Sequence, residues 1–405
     1  MNLDIASILG NFYILTLIKF GIVAFVLLTA LAYLQWIERK VIAHIQLRVG
    51  PTRVGPHGLL QPLADTIKLL TKEDLMPPHA NKFFFVLAPM VSVFFALSAI
   101  AVIPFGPKIN LFGVETYMQL SDLNIGVLYL LALSGMGVYG LALAGWSSNN
   151  KYALIGGLRS SAQMISYELP MALALASPLL LAGSLSLREI AESQSGFMLG
   201  FIPRWSIFQW QAPQLIGFIL FMIAGFAETN RIPFDLPEAE NELVAGFHTE
   251  YSSMKFASFF MAEYANMVTI CSVATLLFLG GWYPIVPSPV ADYIPTLLHW
   301  GAGAVCLYHG LVQPARKWDK YTLPAFGVAF ILVGFVFLVP FLQPILLPLF
   351  WFLGKVLFLL FFFIWVRATL PRFRYDQLMH FAWAFMFPVS VVHLFVTAFL
   401  VALLK

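Results

Sequence analysis

The chain has 405 residues, of which 60% are hydrophobic, 16% aromatic and only 11% charged, with a formal net charge of +3. Soluble globular domains carry about 25% charged and about 45–50% apolar residues, so this composition excludes that class. It indicates a polytopic integral membrane protein, which the length of the apolar runs below makes an all-α polytopic integral membrane protein, and no nucleic acid is expected among its partners.

Apolar runs long enough to cross a hydrocarbon core of about 30 Å, which takes about 20 helical residues, recur along the chain. The strong runs are 12–36, 83–104, 123–145, 162–186, 213–229, 255–280, 323–347, 349–366 and 381–404. A weaker run covers 291–313, where Asp292, His299 and His309 interrupt the apolar residues. Membrane-spanning strands would be shorter and would alternate in polarity. We expect eight core spans and a hairpin made of 291–313 and 323–347, about ten spans in all.

Lysine and arginine concentrate in alternate loops. Seven lie in the loop 38–82, whereas the loop before residue 123 contains only Lys108. The positive-inside rule then places loop 38–82 in the cytoplasm and the amino terminus outside. Because residues 282 and 349 both fall outside, the stretch between them must cross an even number of times. The alternative is eight spans with a hydrophobic external loop.

Loop 38–82 combines a turn-rich segment with an amphipathic one. Its middle, VGPTRVGPHG, has glycines and prolines at turn positions around Arg53 and follows Arg48. Its end predicts a helix with Leu60, Leu63, Ile67 and Leu70 on one face and polar residues on the other, which is typical of a helix lying along the membrane surface. The alternative is that the basic residues of this loop only attract anionic lipid, which accounts well for Lys68 and Lys72. It accounts badly for the glycines and prolines placed around Arg48 and Arg53.

The segment 227–256 is the most acidic part of the chain. Its carboxylates are Glu228, Asp235, Glu238, Glu240, Glu242 and Glu250. Like charges crowded beside a bilayer repel one another and are poorly solvated, so some of these groups should have raised pKa values and hold protons near neutral pH. Asp235 and Glu238 resemble a capping box that starts a short helix ending near Gly246. The alternative is a solvated loop without a function in proton transfer.

Two further acids lie inside predicted spans. Glu168 follows SAQMISY, and Glu263 lies in FASFFMAEYANMVTI. Ionisable groups in spans are expensive and are functional by default. The alternative for each is a packing hydrogen bond made by a protonated acid. Asp319, in the turn of the hairpin, is expected to play no part in proton transfer.

Several sequence patterns that could suggest a cofactor site do not indicate one here. Gly135-Met-Gly137-Val-Tyr-Gly140 matches the dinucleotide fingerprint, but it lies inside an apolar run rather than at a strand-to-helix turn, so close helix packing is the better interpretation. Cys271 and Cys306 form no CxxC pair, and the eight histidines form no metal-binding motif. We expect no flavin, iron–sulfur cluster, haem or metal in this chain.

Four segments, in this order, resemble the H subunit of the proton-translocating NADH:quinone oxidoreductases, the respiratory complex I family. They are ERKVIAHIQLRVGPTRVGPHGLLQPLADTIKLLTKED, GWSSNNKYALIGGLRSSAQMISYELP, AETNRIPFDLPEAENELVAGFHTEYSSMKFASFFMAEY and WVRATLPRFRYDQLM. The resemblance covers about residues 12–282 and 349–404. The stretch 283–348 departs from the eight-span pattern of the family and looks like an inserted hairpin.

The resemblance implies a membrane protein that borders a quinone chamber and takes quinone as substrate. The residues that it places at the chamber are Glu38, Arg39, Arg48, Arg53, Asp65, Phe234, Asp235 and Arg367. The acids that it places in a proton relay are Glu168, Glu228, Glu238, Glu240, Glu242, Glu250 and Glu263. The implied partners are peripheral-arm subunits, including the one with the terminal iron–sulfur cluster, small membrane subunits, antiporter-like subunits and lipid. The implied location is the bacterial cytoplasmic membrane.

Two other functions fit parts of the pattern. One is that of the equivalent membrane protein in a membrane-bound hydrogenase or formate hydrogenlyase, which needs no quinone. The other is a self-standing cation or proton transporter. Large inner loops rich in arginine and glutamate favour a docking platform over a transporter, and purification with native partners separates these alternatives.

Overall fold

The computed structural model describes residues 12–111, 114–236, 244–312 and 318–404. Within these ranges it is predominantly helical with very little strand, which confirms the predicted fold class. The long helices are α1 (Phe12–Ile45), α3 (Lys82–Ala99), α4 (Gly126–Ser147), α5 (Lys151–Ala182), α7 (Leu215–Glu228), α8 (Ser253–Leu277), α9 (Val290–Leu311), α10 (Asp319–Val336) and α11 (Gln343–Thr369). A last helix consists of α12 (Tyr375–His380), a π-helical turn (Phe381–Met386) and α13 (Phe387–Leu404).

Each of the ten predicted apolar runs therefore overlaps a helix, although the run 323–347 is divided between α10, which ends at Val336, and α11, which begins at Gln343. In the described residues, eight helices are long and apolar enough to cross a membrane. The other two are α7, which has only 14 residues, and α9, whose 22 residues are not apolar enough. Helix α5 starts eleven residues before its predicted run, at Lys151, because the Asn150 side chain accepts a hydrogen bond from Tyr152 N–H and caps it.

The remaining elements are short. Besides four 3₁₀-helical turns in the described residues, they are α2 (Gln61–Thr71), α6 (Leu187–Ser193) and two antiparallel strand pairs, β1 (Lys108–Leu111) with β2 (Val114–Tyr117) and β3 (Phe197–Met198) with β4 (Ile202–Pro203). Helix α2 is the predicted amphipathic helix. Its apolar residues Leu63, Ile67 and Leu70 are exposed, as expected of a helix that lies on a membrane surface.

Helices α4, α5, α7 and α8 surround the core of the bundle. Small residues let α4 approach its neighbours closely, and this confirms the packing interpretation for Gly135 and Gly140, whereas a Cβ on Gly137 would meet nothing within 4 Å. A Cβ on Gly140 would lie 3.0 Å from the Ser92 nitrogen of α3, and one on Gly135 would lie 2.7 Å from Glu168 Oε1 of α5. The motif lies wholly inside α4, so no strand-to-helix turn is present there.

The contacts between loops divide them between two ends of the bundle. One end, here called the acidic-loop end, holds residues 46–60, 229–236, 244–252 and 370–374. At this end, Phe373 N–H donates to Pro233 O, and Leu75 N–H donates to Ser252 Oγ. At the opposite end, the Lys355 ammonium donates to the carbonyls of Leu279, Gly281 and Tyr283.

Helices α9 and α10 pack as a hairpin that runs between these two ends. Gly303 and Gly327 allow the contact, since a Cβ on either would lie within 3 Å of the carbonyl oxygen of the other. The start of α10 contacts the acidic-loop end, where His57 Nε2 is 2.8 Å from Thr322 Oγ. At the opposite end, the His299 ring of α9 lies 6.0 Å from the Phe350 ring of α11.

Candidate functional site

A chain of four charged side chains lies at the acidic-loop end. Glu38, near the end of α1, is 3% exposed, and Arg231, just after α7, is 4% exposed. Arg231 Nη1 donates to Glu38 Oε1 at 3.2 Å, while Arg231 Nε lies 2.6 Å from Glu263 Oε1 of α8. Arg367 of α11 also pairs with Glu38. The order of contacts is therefore Arg367, Glu38, Arg231, Glu263.

The burial of this charge chain makes its pairing important. Two charges taken out of water stabilise each other only when their geometry is good, and removing one partner costs about 3–5 kcal/mol. The Arg231 guanidinium also stacks over the Tyr264 ring, 4.3 Å from its centroid. Arg367 is the more exposed end of the charge chain, because a third of its side chain remains accessible. The partly accessible Arg367 guanidinium is thus paired directly with the buried Glu38 carboxylate.

The turn that carries Arg231 is held by an amide from another helix. Gln163 of α5 is fully buried, and its Nε2 donates to the carbonyls of Ala227 and Phe234 at 2.7 and 2.8 Å. Phe234 N–H donates to Arg231 O at 2.7 Å, which closes the turn. Burial of these backbone groups requires such partners. The position of Arg231 is therefore fixed by α5 as well as by its own segment.

The PFD segment packs against the chain after α11. Asp235 pairs with Arg372 Nη2 at 2.8 Å. The Phe234 ring lies 5.5 Å from the Tyr167 ring and 5.6 Å from the Phe373 ring. The predicted chamber residues Phe234 and Asp235 are thus both buried at the acidic-loop end, beside the segment that follows Arg367.

Loop 38–82 contributes a second, more exposed group. Arg39 Nη1 donates to Asp65 Oδ2 of α2 at 2.8 Å, and Gln61 Nε2 donates to Asp65 Oδ1 at 2.9 Å. Arg48 and Arg53 are exposed, and Arg48 Nε donates to Gln46 Oε1. The loop is nevertheless tightly constrained, since a Cβ on Gly58, which has a φ of 78°, would collide with the Pro51 carbonyl.

A partly polar cavity of about 90 Å³ lies next to the charge chain, between α3, α4, α5, α7 and α8. Its lining includes both Glu228 and Glu263, together with Ser134, Asn266 and Thr269. Within the described residues, Glu228 Oε2 and Thr269 Oγ1 have no hydrogen-bond partner. A cavity with polar walls needs roughly 10–15 Å³ to hold one water, so this space is large enough for several.

The other predicted relay acids lie in different surroundings. Glu168 is half-buried and faces Gly135 of α4, and Glu250 Oε1 accepts from Asn150 Nδ2 at 2.7 Å at the start of α5. The predicted capping box and short helix after Asp235 lie largely outside the described residues. The predicted relay acids Glu238, Glu240 and Glu242 also lie outside the described residues.

The segment after the acidic stretch is anchored by Tyr251. Its ring stacks on Phe85 of α3 with centroids 4.0 Å apart, and its hydroxyl lies 3.3 Å from Ser147 Oγ. Burial raises the pKa of Tyr251 to about 12, although the Ser147 hydrogen bond acts in the opposite direction. Tyr251 is therefore neutral at physiological pH and fixes the segment by packing.

Sequence reasoning missed two members of the site. It counts Arg231 and Arg372 only as inner-side positive charges, yet each pairs with an acid from a distant segment. The signal available was the position of Arg231 between two apolar runs, beside the acidic stretch. Among the described residues, no group of three or more His, Cys, Asp or Glu side chains could hold a metal ion.

The family model described as NADH dehydrogenase matches residues 18–398. The NADH-quinone oxidoreductase H subunit of Solibacter usitatus that is numbered 1 is 62% identical over 399 residues, which cover 98% of this chain and 99% of that protein. The chain belongs to the H-subunit family of the NADH-quinone oxidoreductases.

Other members of the H-subunit family match over nearly their whole length. The H subunit of Koribacter versatilis that is numbered 2 is 49% identical over 97% of this chain and 98% of its own length. Its counterpart in Geobacter metallireducens, also numbered 2, is 44% identical over the full length of both chains. Together with the apolar helices, these matches establish a multi-pass membrane protein of that enzyme family.

Proposed function

We propose that this chain forms the membrane side of the quinone chamber of an NADH-quinone oxidoreductase and links quinone reduction to proton translocation. The observation that carries the proposal is the charge chain. It connects Arg367, which precedes the Arg372 and Phe373 partners of the predicted chamber residues Asp235 and Phe234, with Glu263, which lines the cavity. The names of the relatives favour quinone as the substrate over the hydrogenase alternative.

The chamber would be lined by two sets of side chains. Arg48, Arg53 and the Arg39–Asp65 pair lie on the loop side, and Arg367, Glu38 and the PFD segment lie on the bundle side. A guanidinium can donate hydrogen bonds to the carbonyl oxygens of a quinone headgroup. Reduction of a quinone to a quinol adds two electrons and two protons. A peripheral-arm partner with its iron–sulfur cluster would supply the electrons.

The coupling follows from the position of Arg231 between two acids. When a quinone or its reduced form draws Arg367 away, Glu38 loses one of its two cations and attracts Arg231 more strongly. Arg231 then neutralises Glu263 less well, and Glu263 binds a proton from the cavity more readily. Two unit charges about 4 Å apart interact by about 4 kcal/mol at an effective dielectric of about 20, which exceeds the roughly 1.4 kcal/mol of one pKa unit.

From Glu263 the relay would continue through waters in the cavity to Glu228 and then towards Glu168. Protons would enter the relay through the acids of the acidic stretch, which are Glu238, Glu240, Glu242 and Glu250. Antiporter-like and small membrane subunits would take up the relay beyond this chain. We place the protein in the bacterial cytoplasmic membrane, with the acidic-loop end in the cytoplasm and the amino terminus outside.

The test of the chamber is the replacement of Arg367 or Arg48 by alanine in the assembled complex. Quinone reduction should fall by about tenfold or more, the loss expected when a charged hydrogen bond of about 1.5–3 kcal/mol is removed. Electron transfer from NADH to a small water-soluble acceptor should stay intact, because that acceptor draws electrons from the peripheral arm. If both activities fall together, or if neither falls, the chamber assignment is wrong.

A further inference from the structure

Asp319, the first residue of α10, has an unexpected environment. The sequence predicts a hairpin turn with no part in proton transfer at this position, and the structure shows that Asp319 is only 6% exposed. Its Oδ1 lies 3.5 Å from Nε2 of His57, which belongs to loop 38–82. One turn further along α10, Thr322 Oγ is 2.8 Å from the same nitrogen. Two hairpin side chains therefore converge on one histidine.

The direction of the His57–Thr322 hydrogen bond is determined by a second contact. The Thr322 hydroxyl donates its single hydrogen to Trp318 O at 2.9 Å. A carbonyl can only accept, so the Thr322 hydroxyl satisfies both contacts only when its oxygen accepts a hydrogen bond from His57. In this arrangement His57 Nε2–H donates a hydrogen bond to Thr322 Oγ1, with the Asp319 carboxylate nearby on the same side.

The backbone of loop 38–82 is strained at His57. It has a left-handed backbone conformation, with φ 54° and ψ 16°, and lies between Gly55 and Gly58, which also have positive φ values. A non-glycine residue in this region is strained and persists only where its surroundings hold it. The side-chain contacts with Asp319 and Thr322 are interactions that hold it there.

We propose that Asp319 and Thr322 are positioning residues, through which the α9–α10 hairpin fixes the Gly-Pro loop (residues 50–60) by holding His57. The loop carries Arg53 and leads into α2, whose Asp65 binds Arg39. The effect on quinone rests on the proposed function, since the Gly-Pro loop borders the proposed chamber. The hairpin is attached at its other end through the His299–Phe350 contact, so it can act as a brace between the two ends of the bundle.

The first test measures the loop itself, by amide hydrogen exchange in the assembled complex. Thr322→Val removes the acceptor at nearly constant volume, and His57→Asn shortens the side chain while suiting a left-handed backbone. Exchange in residues 50–60 should become about fivefold faster in either variant, the factor that corresponds to one net hydrogen bond of about 1 kcal/mol. Thr322→Ser, which keeps the hydroxyl, should restore slow exchange. Lys320→Gln, at the exposed neighbour of Asp319, should change nothing.

The second test measures the consequence for quinone. The KM for a short-chain quinone should rise about fivefold in Thr322→Val and in His57→Asn, with a smaller change in kcat, and the double variant should be no worse than the worse single variant. Unchanged exchange in both single variants would overturn the positioning role, and so would additive effects in the double variant. Arg48→Ala in the same preparation tests the chamber separately: if it leaves quinone reduction intact, the chamber assignment fails, while the exchange data still decide whether the hairpin holds the loop.

Discussion

Arg231 and Glu38, which are 193 positions apart in the chain, form an ion pair that is almost completely removed from solvent. The pair joins the end of α1 to the turn after α7, and each partner has a second partner of opposite charge. A change at one end of this charge chain therefore alters the electrostatic free energy at the other.

The Arg231 site should be far more sensitive than the other loop ion pair. Arg231→Gln leaves Glu263 without its guanidinium in a buried place, so the complex should lose about 3–5 kcal/mol of stability, seen as a lower thermal midpoint or poor assembly. Arg372→Gln is the matched control, because the Arg372 side chain is 29% exposed compared with 5% for Arg231. Equal losses in the two variants would contradict the importance assigned to burial.

Gly135 offers a way to move Glu168 without changing its chemistry. An added methyl group would lie 2.7 Å from Glu168 Oε1, so the carboxylate must shift, although its flexible side chain lets the bundle stay assembled. Gly135→Ala should lower quinone-linked turnover in an assembled complex. Gly354→Ala, at a helix position with open space around it, should leave turnover unchanged. Normal turnover in Gly135→Ala would argue that the position of Glu168 does not matter.

The hairpin can be tested by labelling single cysteines from either side of the membrane. Lys320→Cys should react from the cytoplasmic side and Ser288→Cys from the outside, since both positions are exposed and α9 and α10 are proposed to cross the membrane. Cys306 is only partly buried and should first be replaced by alanine, whereas Cys271 is fully buried. Labelling of Lys320→Cys from outside would show that the protein has eight spans.

Local patterns were sufficient to predict the ten long helices and α2, but not the short helices α6 and α12. Apolar runs marked each of the ten, and the spacing of Leu63, Ile67 and Leu70 identified α2, because helical periodicity depends only on neighbouring residues. The position of the false dinucleotide motif inside an apolar run likewise predicted a helix, and Gly135 and Gly140 make the close helix contacts expected there, whereas Gly137 does not.

The partners of the charged residues could not be predicted in this way. The pairing of Arg231 with Glu38 and Glu263, and that of His57 with Thr322, joins residues far apart in the sequence. Such pairs depend on how the helices pack against one another, and the helical periodicity of the sequence gives no information about that packing. The burial of Asp319 could not be read from the sequence either, because the exposure of a residue beside a turn depends on the segment that packs against it.

The most direct test of the central claim is proton translocation measured together with quinone reduction in a complex whose cavity acids cannot titrate. Glu228→Gln and Glu263→Gln keep size and hydrogen bonding but remove the acid, and Glu73→Gln, at an exposed loop position, is the control. We predict that turnover and proton translocation fall together in the double variant and stay normal in the control. Normal turnover with normal proton translocation in an assembled Glu228→Gln/Glu263→Gln complex would contradict the relay.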